Sequence, residues 1–462
     1  GALRAACCFP GLRRLLASPE RSAALPAIRQ ELEVDLAYWK AAWRDGAAEA
    51  SGLGPGALDE FERRYGDTFC RVRVRDGRPV HCDTGAMRRH IVERNNENWF
   101  HTNVLVNGVL PALLANAPRD ADGRLPPWLE TLDFFLAPTR FDNWRNYSVP
   151  VLSWDRLRSS LGPLLIPYYT SYNMEELVLS RVLPLLAEHP WHTRRDVVFW
   201  RGTLNAGFTR CDCGDFPMPA GVLDGQPKFD ACPSLSLPVE GEEACACRIV
   251  QLSGENWFEY PRVRAVLLSM LHPADVDAAF STSPGWEMPS VQAHVPPQLL
   301  RHAPADNDYA ANLAAHLRHK YVLAVGGMTP SPRQPLWMLY SGAVLFYQTG
   351  PFDLLWFRAA LQPWRHYIPV REDLSDLIEK VHWARKNDAA CAAMAQAALD
   401  FARAHVRTDE MLHYVYRALE AARHATAAPS EAIATPRPGR REAPAADTLG
   451  KHVRSVPAAK NR

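Results

Sequence analysis

The sequence predicts an α/β protein with a helical N-terminal region and a disordered C-terminal tail. From about residue 130, short apolar runs such as "DVVFWRG" and "KYVLAVGG" alternate with stretches of helical periodicity, which is typical of a buried parallel sheet covered by helices. Residues 1 to about 125 carry apolar positions at helical spacing. Beyond about residue 425 the chain is rich in alanine and proline and has no aromatic residue, so it cannot bury enough surface to order itself.

Length and charge limit the classes of function. A chain of 462 residues that is 47% hydrophobic has room for two to three domains. Its formal net charge of +1 creates no long-range field, so neither nucleic acid nor an anionic membrane surface is expected as the main partner. No run reaches the roughly 18 apolar residues of a membrane helix. Because the chain begins at Gly1 without methionine, a signal or membrane anchor is expected upstream of it.

Cysteines are concentrated in one segment rich in glycine, proline and aspartate. Such density predicts a loop held by disulfides in an oxidising compartment. Zinc is the alternative, but the spacings "CDC" and "CAC" leave one residue between thiolates, which suits one tetrahedral ion poorly. The five cysteines of this segment, out of ten in the chain, are Cys211, Cys213, Cys232, Cys245 and Cys247.

A second cysteine pair and a glycosylation sequon agree with a secreted environment. Cys70 and Cys82 flank "RVRVRDGRPVH", whose alternation and Asp-Gly step predict a hairpin that a disulfide would close. Asn146-Tyr147-Ser148 is an N-glycosylation sequon.

The clearest βαβ unit runs from Lys320 to Gln348. Its first strand, Tyr321 to Val325, ends at Gly326-Gly327; a helix is predicted around Leu336 to Tyr340, with Pro335 in its first turn; and Ala343 to Tyr347 form the next strand. Two amphipathic helices are predicted to follow and to cover the sheet. Their apolar positions are Leu374, Leu377, Ile378 and Val381, then, after an Asn387-Asp388 cap, Met394, Ala397, Ala398, Phe401 and Ala402.

Two predicted strands are followed by residues of the same types: glycine, a hydroxyl residue and arginine. Ligands of open α/β sheets bind beyond the carboxyl ends of the strands. Glycine there admits a phosphate close to the backbone, hydroxyls donate hydrogen bonds and arginine offers a planar fork, so the two ends together predict a diphosphate site. The alternative is ordinary turn chemistry with a surface ion pair. The residues concerned are Arg201, Gly202 and Thr203 after "VVFW", and Gly326, Gly327, Thr329, Ser331 and Arg333 after "VLAV".

Familiar catalytic signatures are absent from the sequence. "VGGMTPSPR" is not the glycine pattern of a dinucleotide fold, and neither a phosphate-binding P-loop, a zinc-protease motif nor a nucleophile elbow occurs. These absences argue against a classical dehydrogenase, P-loop ATPase, zincin or lipase.

Four segments carry a family resemblance. "VVFWRGT", "PRVRAVLLS", "HKYVLAVGGMTPSPR" with "LWMLYSGAVLF", and "LQPWRHYIPVREDLSDLIEKVHWARKND" resemble, in that order, the protein O-glucosyltransferases of Rumi type and their fungal capsule-associated xylosyltransferase relatives. The likeness runs from about residue 130 to 420.

The resemblance implies a GT-B architecture, in which two Rossmann-like domains face a cleft. Residues 126–185 would then be the acceptor-side part and residues 186–425 the UDP-sugar domain, with a cysteine-rich insertion at about 209–258. It also implies inversion at the anomeric carbon without metal or cofactor. The donor residues implied are Arg201, Gly202, Thr203, Arg262, Gly326, Gly327, Ser331 and Arg333. Relatives often carry aspartate or arginine where Gly326 stands.

The resemblance further implies an aspartate after an early strand as the general base. Asp142 occupies that place in "FFLAPTRFDNW", although the family's aspartate usually stands before x-Pro; Asp133 and Asp155 are the alternatives. Acid–base roles are weaker expectations for His319 and His366, which we interpret as structural. Among tryptophans that stack on sugar or uracil, the candidates are Trp144, Trp154, Trp200 and Trp364, of which Trp200 is expected in the core.

The predicted function is transfer of glucose or xylose from a UDP-sugar to a hydroxyl of a protein or glycan in the Golgi or endoplasmic reticulum lumen. The terminal Lys460-Asn461-Arg462 is no retention signal for the endoplasmic reticulum, which favours the Golgi. Two alternatives stay open: a catalytically silent relative that binds a nucleotide sugar or glycan, and a cysteine-rich interaction module on a glycosyltransferase scaffold.

Overall fold

The computed structural model describes residues 9–44, 56–66, 69–81, 102–137, 149–154, 156–157, 163–168, 171–172, 175, 178–204, 207–211, 247–281, 292–300, 309–327, 333–349, 352–353, 356–357 and 360–426. Asp142, Asp155, the sequon, most of the cysteine-rich segment, Ser331 and the C-terminal tail lie outside these residues.

Helices and strands are numbered here in chain order among the described residues. The helices are α1 (Pro10–Ala17), α2 (Leu25–Arg44), α3 (Ala57–Tyr65), α4 (Leu110–Asn116), α5 (Pro127–Glu130), α6 (Leu183–Leu186), α7 (Pro261–Leu271), α8 (Tyr309–Leu317), α9 (Arg333–Met338), α10 (Leu377–Lys386), α11 (Asp388–His405) and α12 (Thr408–Thr426). The strands are β1 (Cys70–Arg75), β2 (Arg78–His81), β3 (Asp133–Leu136), β4 (Val151–Ser153), β5 (Arg156–Leu157), β6 (Pro163–Leu165), β7 (Arg195–Gly202), β8 (Gly207–Cys211), β9 (Cys247–Gln251), β10 (Val276–Phe280), β11 (His319–Ala324), β12 (Val344–Gln348), β13 (Phe352–Asp353) and β14 (Tyr367–Val370).

The first sheet has the strand order β2-β1-β3-β4-β6. Its first three strands are antiparallel, and β3, β4 and β6 run parallel. The predicted hairpin is present, because β1 and β2 are joined by Asp76 and Gly77 with φ of 52° and 68°, the conformation of a tight hairpin turn. Two strands of this sheet therefore lie within residues 1–125, which were predicted from the sequence to be largely helical. Cys70 is disulfide-bonded; its predicted pairing with Cys82 stays a prediction, since Cys82 lies outside the described residues.

The second sheet confirms the predicted parallel α/β arrangement. Its order is β10-β7-β11-β12-β14, and every neighbouring pair runs parallel. One face packs Trp200 and Tyr321 into a core with α7 and α10, and the opposite face packs Val322 and Leu345 into a second core. Burial on both faces explains why these strands are continuous apolar runs rather than alternating ones.

The predicted βαβ unit is present, with small shifts in its helix. α9 begins at Arg333, two residues before Pro335, and continues as a 3-10 turn to Ser341. The two later helices are also present, but Leu374 precedes α10 with φ 58° instead of belonging to it. Asn387 is the N-cap residue of α11, as predicted, but its side chain does not cap that helix. Its amide instead donates to the carbonyl of Trp383 at 2.8 Å, at the end of α10.

The last helix, α12, connects the two sheets. It packs against α1 and α2 and touches β3 and β6 of the first sheet, and Ser22 Oγ donates to Glu410 Oε2 at 2.6 Å. Residues of α11, α12, the first sheet and one face of the second sheet form a single continuous core. None of the described helices is both long and apolar enough to cross a membrane.

Candidate functional site

Four strands of the second sheet end on the same side of it, its carboxyl edge. The residues that follow β7, β11 and β14 there include Thr203, Gly326-Gly327 and Glu372-Asp373, and Gln348 is the last residue of β12. α7 precedes β10 as a crossover helix, so its first turn also lies at this edge. This is the position at which open parallel sheets bind ligands.

The last residue of β7 is Gly202, and a side chain does not fit at this position. A Cβ added to Gly202 would stand 2.4 Å from Cζ2 of Trp200, whose indole is fully buried. The carbonyl of Gly202 accepts from the N–H of Ser281 at 2.9 Å, which ties the end of β7 to the end of β10. The absence of a side chain at Gly202 thus allows the indole of Trp200 to pack in the core directly beneath the site.

The guanidinium of Arg201 is held on the opposite face of β7. It donates to Asp277 Oδ1 at 2.8 Å and to the backbone carbonyls of Trp200 and Asp277. Its Cζ lies 4.1 Å from the ring centre of Phe199, and that ring stacks on His319 at 4.2 Å. In this structure Arg201 therefore fixes β7 to β10, and its role as a donor ligand stays a prediction.

Two buried arginines in the first turn of α7 hold the surrounding loops. Arg262 Nη1 donates to the carbonyl of Thr203 at 2.7 Å, and Arg264 Nε donates to the carbonyl of Asp373 at 2.8 Å. A hydrogen bond from a buried charged donor is worth about 1.5–3 kcal/mol. Helix α7 is thereby attached to the loops after β7 and β14. Sequence reasoning found Arg262 but missed Arg264.

Gln348 joins two further loops with one side-chain amide. Its Oε1 accepts from the N–H of Gly326 at 2.7 Å, and its Nε2 donates to the carbonyl of Glu372 at 2.5 Å. Sequence reasoning missed this residue, although a polar residue that ends an apolar strand was the available signal.

Two adjacent buried carboxyl groups complete the edge. Burial, followed by the neighbouring charge of Asp373, raises the pKa of Glu372 to about 7. Asp373 Oδ1 accepts from the N–H of Ser375 at 3.0 Å. The pair stands in the "REDLSD" segment, which carried the family resemblance but had suggested no role for these two side chains.

The remaining candidate residues are placed as follows. Arg333 opens α9, whereas Ser331, Asp142 and Asp155 lie outside the described residues. Asp133 begins β3 and accepts hydrogen bonds from Arg71 at 2.8 and 2.7 Å, so its carboxylate is already committed to an ion pair.

Both candidate histidines have structural surroundings. Burial lowers the pKa of His319 to about 4, and its Nδ1 lies 2.8 Å from the carbonyl of Ala315. Burial, then the charge of Arg365, lowers the pKa of His366 to about 4, and its Nδ1 accepts from the N–H of Gln362 at 2.9 Å. Neither ring lies at the carboxyl edge of the second sheet.

The candidate tryptophans separate into buried and exposed residues. Trp200 is buried, as expected, and Trp154 is buried as well. Trp364 is 48% exposed and precedes β14, away from the strand ends that form the site. Trp144 lies outside the described residues. Among the residues that the structure describes, no group of three or more His, Cys, Asp or Glu side chains is placed to hold a metal ion.

Replacing Gly202 with alanine is expected to lower the free energy of unfolding by about 1–3 kcal/mol, since the new methyl group must displace a buried indole. The affinity for the diphosphate ligand that the sequence predicts at this strand end should fall as well, because Thr203 moves with the strand end. Denaturant unfolding measures the stability, and titration with a nucleoside diphosphate measures the affinity. Gly254→Ala is the matched control, because nothing lies within 4 Å of a Cβ there. Equal losses in the two variants would contradict the contact with Trp200 as the cause.

Comparison with known proteins supports the family resemblance. Residues 259–426 match the model of glycosyl transferase family 90. Over these residues the chain is similar to that family. The matched range contains Arg262, Gly326, Gly327, Ser331 and Arg333, whereas Arg201, Gly202, Thr203 and Asp142 precede it.

Individual relatives agree with the family 90 match. Protein O-glucosyltransferase 2 of Danio rerio is 36% identical over 100 residues, which are 22% of this chain and 20% of the relative. Protein O-glucosyltransferase 1 of Homo sapiens is 30% identical over 149 residues, 32% of this chain and 35% of the relative. Uncharacterized protein 035R of Invertebrate iridescent virus 3 is 30% identical over 171 residues, 36% of this chain and 15% of the relative. The chain thus spans about a third or less of each relative's length.

Proposed function

We propose that the protein is an inverting, metal-independent glycosyltransferase of GT-B architecture that moves glucose or xylose from a UDP-sugar to a hydroxyl group. The acceptor is a serine or threonine of a protein, or a glycan, and the reaction takes place in the secretory lumen. The observation that carries the proposal is the meeting of the β7, β11 and β14 ends with the first turn of α7, within and beside a family 90 domain.

The donor is proposed to lie across the two glycine turns, with its diphosphate near Gly202 and Gly327. Gly326 contributes by its missing side chain, because its N–H already donates to Gln348. Ser331, Arg333 and Arg262 provide the donors and positive charge. Cleavage of the bond between sugar and phosphate increases negative charge on UDP, so groups held in place beforehand stabilise the transition state more than the ground state.

The acceptor is proposed to approach from the side of the first sheet. Asp142 would remove the proton of the attacking hydroxyl, and attack from the face opposite UDP inverts the anomeric carbon. The relatives named O-glucosyltransferases support glucose as one of the two donor sugars and a protein as one of the acceptors.

The proposal is tested by UDP release from a panel of UDP-sugars, with chelator present and an acceptor peptide or oligosaccharide supplied. Release with UDP-glucose or UDP-xylose, and weaker UDP binding in Arg333→Ala and Arg201→Ala, are the expected results. Binding of UDP without release from any donor and acceptor would overturn transfer. Release only after a divalent metal is restored would overturn metal independence.

Asp277→Asn separates two roles for Arg201. If it lowers UDP affinity as much as Arg201→Ala does, Arg201 acts by fixing the end of β7 through its pair with Asp277. If affinity is kept in Asp277→Asn, Arg201 contacts the donor directly.

A further inference from the structure

Two exposed tryptophans lie in contact on the surface. The ring centres of Trp364 and Trp383 are 5.1 Å apart and their planes meet at 74°. Trp364 is 48% exposed and Trp383 is 36% exposed. The two rings therefore form an open corner with apolar faces.

Trp364 is held in place by a rigid turn. The N–H of Trp364 donates to the carbonyl of Tyr367 at 2.7 Å, the N–H of His366 to the carbonyl of Gln362 at 3.0 Å, and the N–H of Gln362 to Nδ1 of buried His366 at 2.9 Å. Trp364 nevertheless has φ 61°, a left-handed conformation that bulky residues rarely adopt. A strained residue that leaves about half of its surface exposed points to a function outside the core.

The corner lies at the other end of β14 from the candidate donor site. Trp364 precedes β14, while Glu372 and Asp373 follow it. Trp383 lies near the end of α10, which begins at the donor edge. Although the sequence had suggested that Trp364 stacks on sugar or uracil, it lies at the amino end of its strand and not at the carboxyl ends that form the donor site.

The surroundings of the corner are polar, and the lysine beside it is paired. Lys380 Nζ lies 5.8 Å from the ring centre of Trp364, donates to the carbonyl of Pro369 and forms an ion pair with Asp376 at 2.5 Å. Arg365 Nη1 donates to Gln362 Oε1 at 3.2 Å, and both side chains are exposed. Apolar faces bordered by neutral and guanidinium donors suit a ligand that has both C–H faces and hydroxyl groups.

We propose that Trp364 and Trp383 bind a neutral glycan chain, one or two pyranose rings at a time, at a site separate from the transfer site. The C–H groups of a pyranose face would pack on the indoles, and its hydroxyls would hydrogen-bond to Arg365 and Gln362. A stable protein partner needs about 800 Å² on each side, which two partly exposed rings of about 150–250 Å² each cannot supply. The choice of a sugar rests in part on the proposed function.

Calorimetric titration with xylohexaose, cellohexaose and maltohexaose, without any UDP-sugar, tests the site. The key variant is Trp364→Gly, because glycine adopts positive φ without strain and the ring is removed without a backbone penalty. Wild type is expected to bind at least one hexasaccharide, and Trp364→Gly to bind it about tenfold more weakly, a loss of about 1.4 kcal/mol. Leu179→Ala, at another exposed apolar residue, should match wild type. UDP affinity should be unchanged in Trp364→Gly.

Three binding results would overturn the inference, and so would a fourth result from sedimentation. They are the absence of binding of all three hexasaccharides to wild type, equal binding by wild type and Trp364→Gly, and displacement of the hexasaccharide by UDP, which would place the sugar in the donor cleft. A dimer that sedimentation detects in wild type but not in Trp364→Gly would assign the corner to a second copy of the chain instead. Failure of UDP release would contradict the proposed function but leave this binding measurement interpretable.

Discussion

Asp142→Asn is expected to lower the turnover number by about 10²–10⁴-fold, the usual contribution of a general base, and to leave UDP affinity unchanged. The amide cannot accept the proton of the attacking hydroxyl, whereas the donor contacts proposed for the second sheet do not involve this residue. Single-turnover kinetics and UDP titration of the same preparation measure the two quantities.

Asp133→Asn is the matched control for the general base. Asp133 forms a two-bond pair with Arg71, whose side chain is only 6% exposed and also contacts Asp59 and Glu62. Its amide variant should therefore lower the free energy of unfolding while the folded fraction keeps its turnover. Loss of turnover in Asp133→Asn, with none in Asp142→Asn, would transfer the base role to Asp133; unchanged turnover in both would leave Asp155 as the candidate.

Glu372→Gln is expected to increase stability above neutral pH. Burial raises the pKa of Glu372 from 4.5 in the unfolded chain to about 7 in the folded protein. Below pH 4.5 both states are protonated and the native stability is complete; as pH rises to 7 the unfolded state loses its proton first, and stability falls. Since glutamine does not titrate, the variant should be equal to wild type near pH 4 and more stable by ~3 kcal/mol at pH 8.

Denaturant unfolding at several pH values between about 4 and 8 measures this difference. Glu379→Gln, on the exposed side of α10, is the control and should shift little at any pH. If wild type and Glu372→Gln have parallel stability curves, the carboxyl group of Glu372 is not the source of the pH dependence. If Glu372→Gln is less stable than wild type at every pH, the carboxyl group of Glu372 makes a favourable contact in the folded protein.

The sequence predicted the sheet better than it predicted the site. Strands β7, β11 and β12 are apolar runs with clear glycine ends, and burial on both faces makes such runs easy to recognise. The side-chain bonds of Gln348 and Arg264 could not be predicted, because each joins loops that are distant in the chain and meet only in the folded sheet. The pair between Arg201 and Asp277 could not be predicted either, because Asp277 belongs to the neighbouring strand and stands 76 positions further along the chain.

Helix α12 has a consequence for synthesis in the cell. It supplies core residues to the first sheet and its helices, although it is made after nearly everything else described here. The first sheet ends at Leu165 and α12 at Thr426. The first sheet must therefore leave the ribosome with part of its apolar surface uncovered and wait for about 260 further residues, at about 5–20 residues per second. During that interval chaperones have access to this surface, and a chain that stops before Thr408 is expected to stay bound to them.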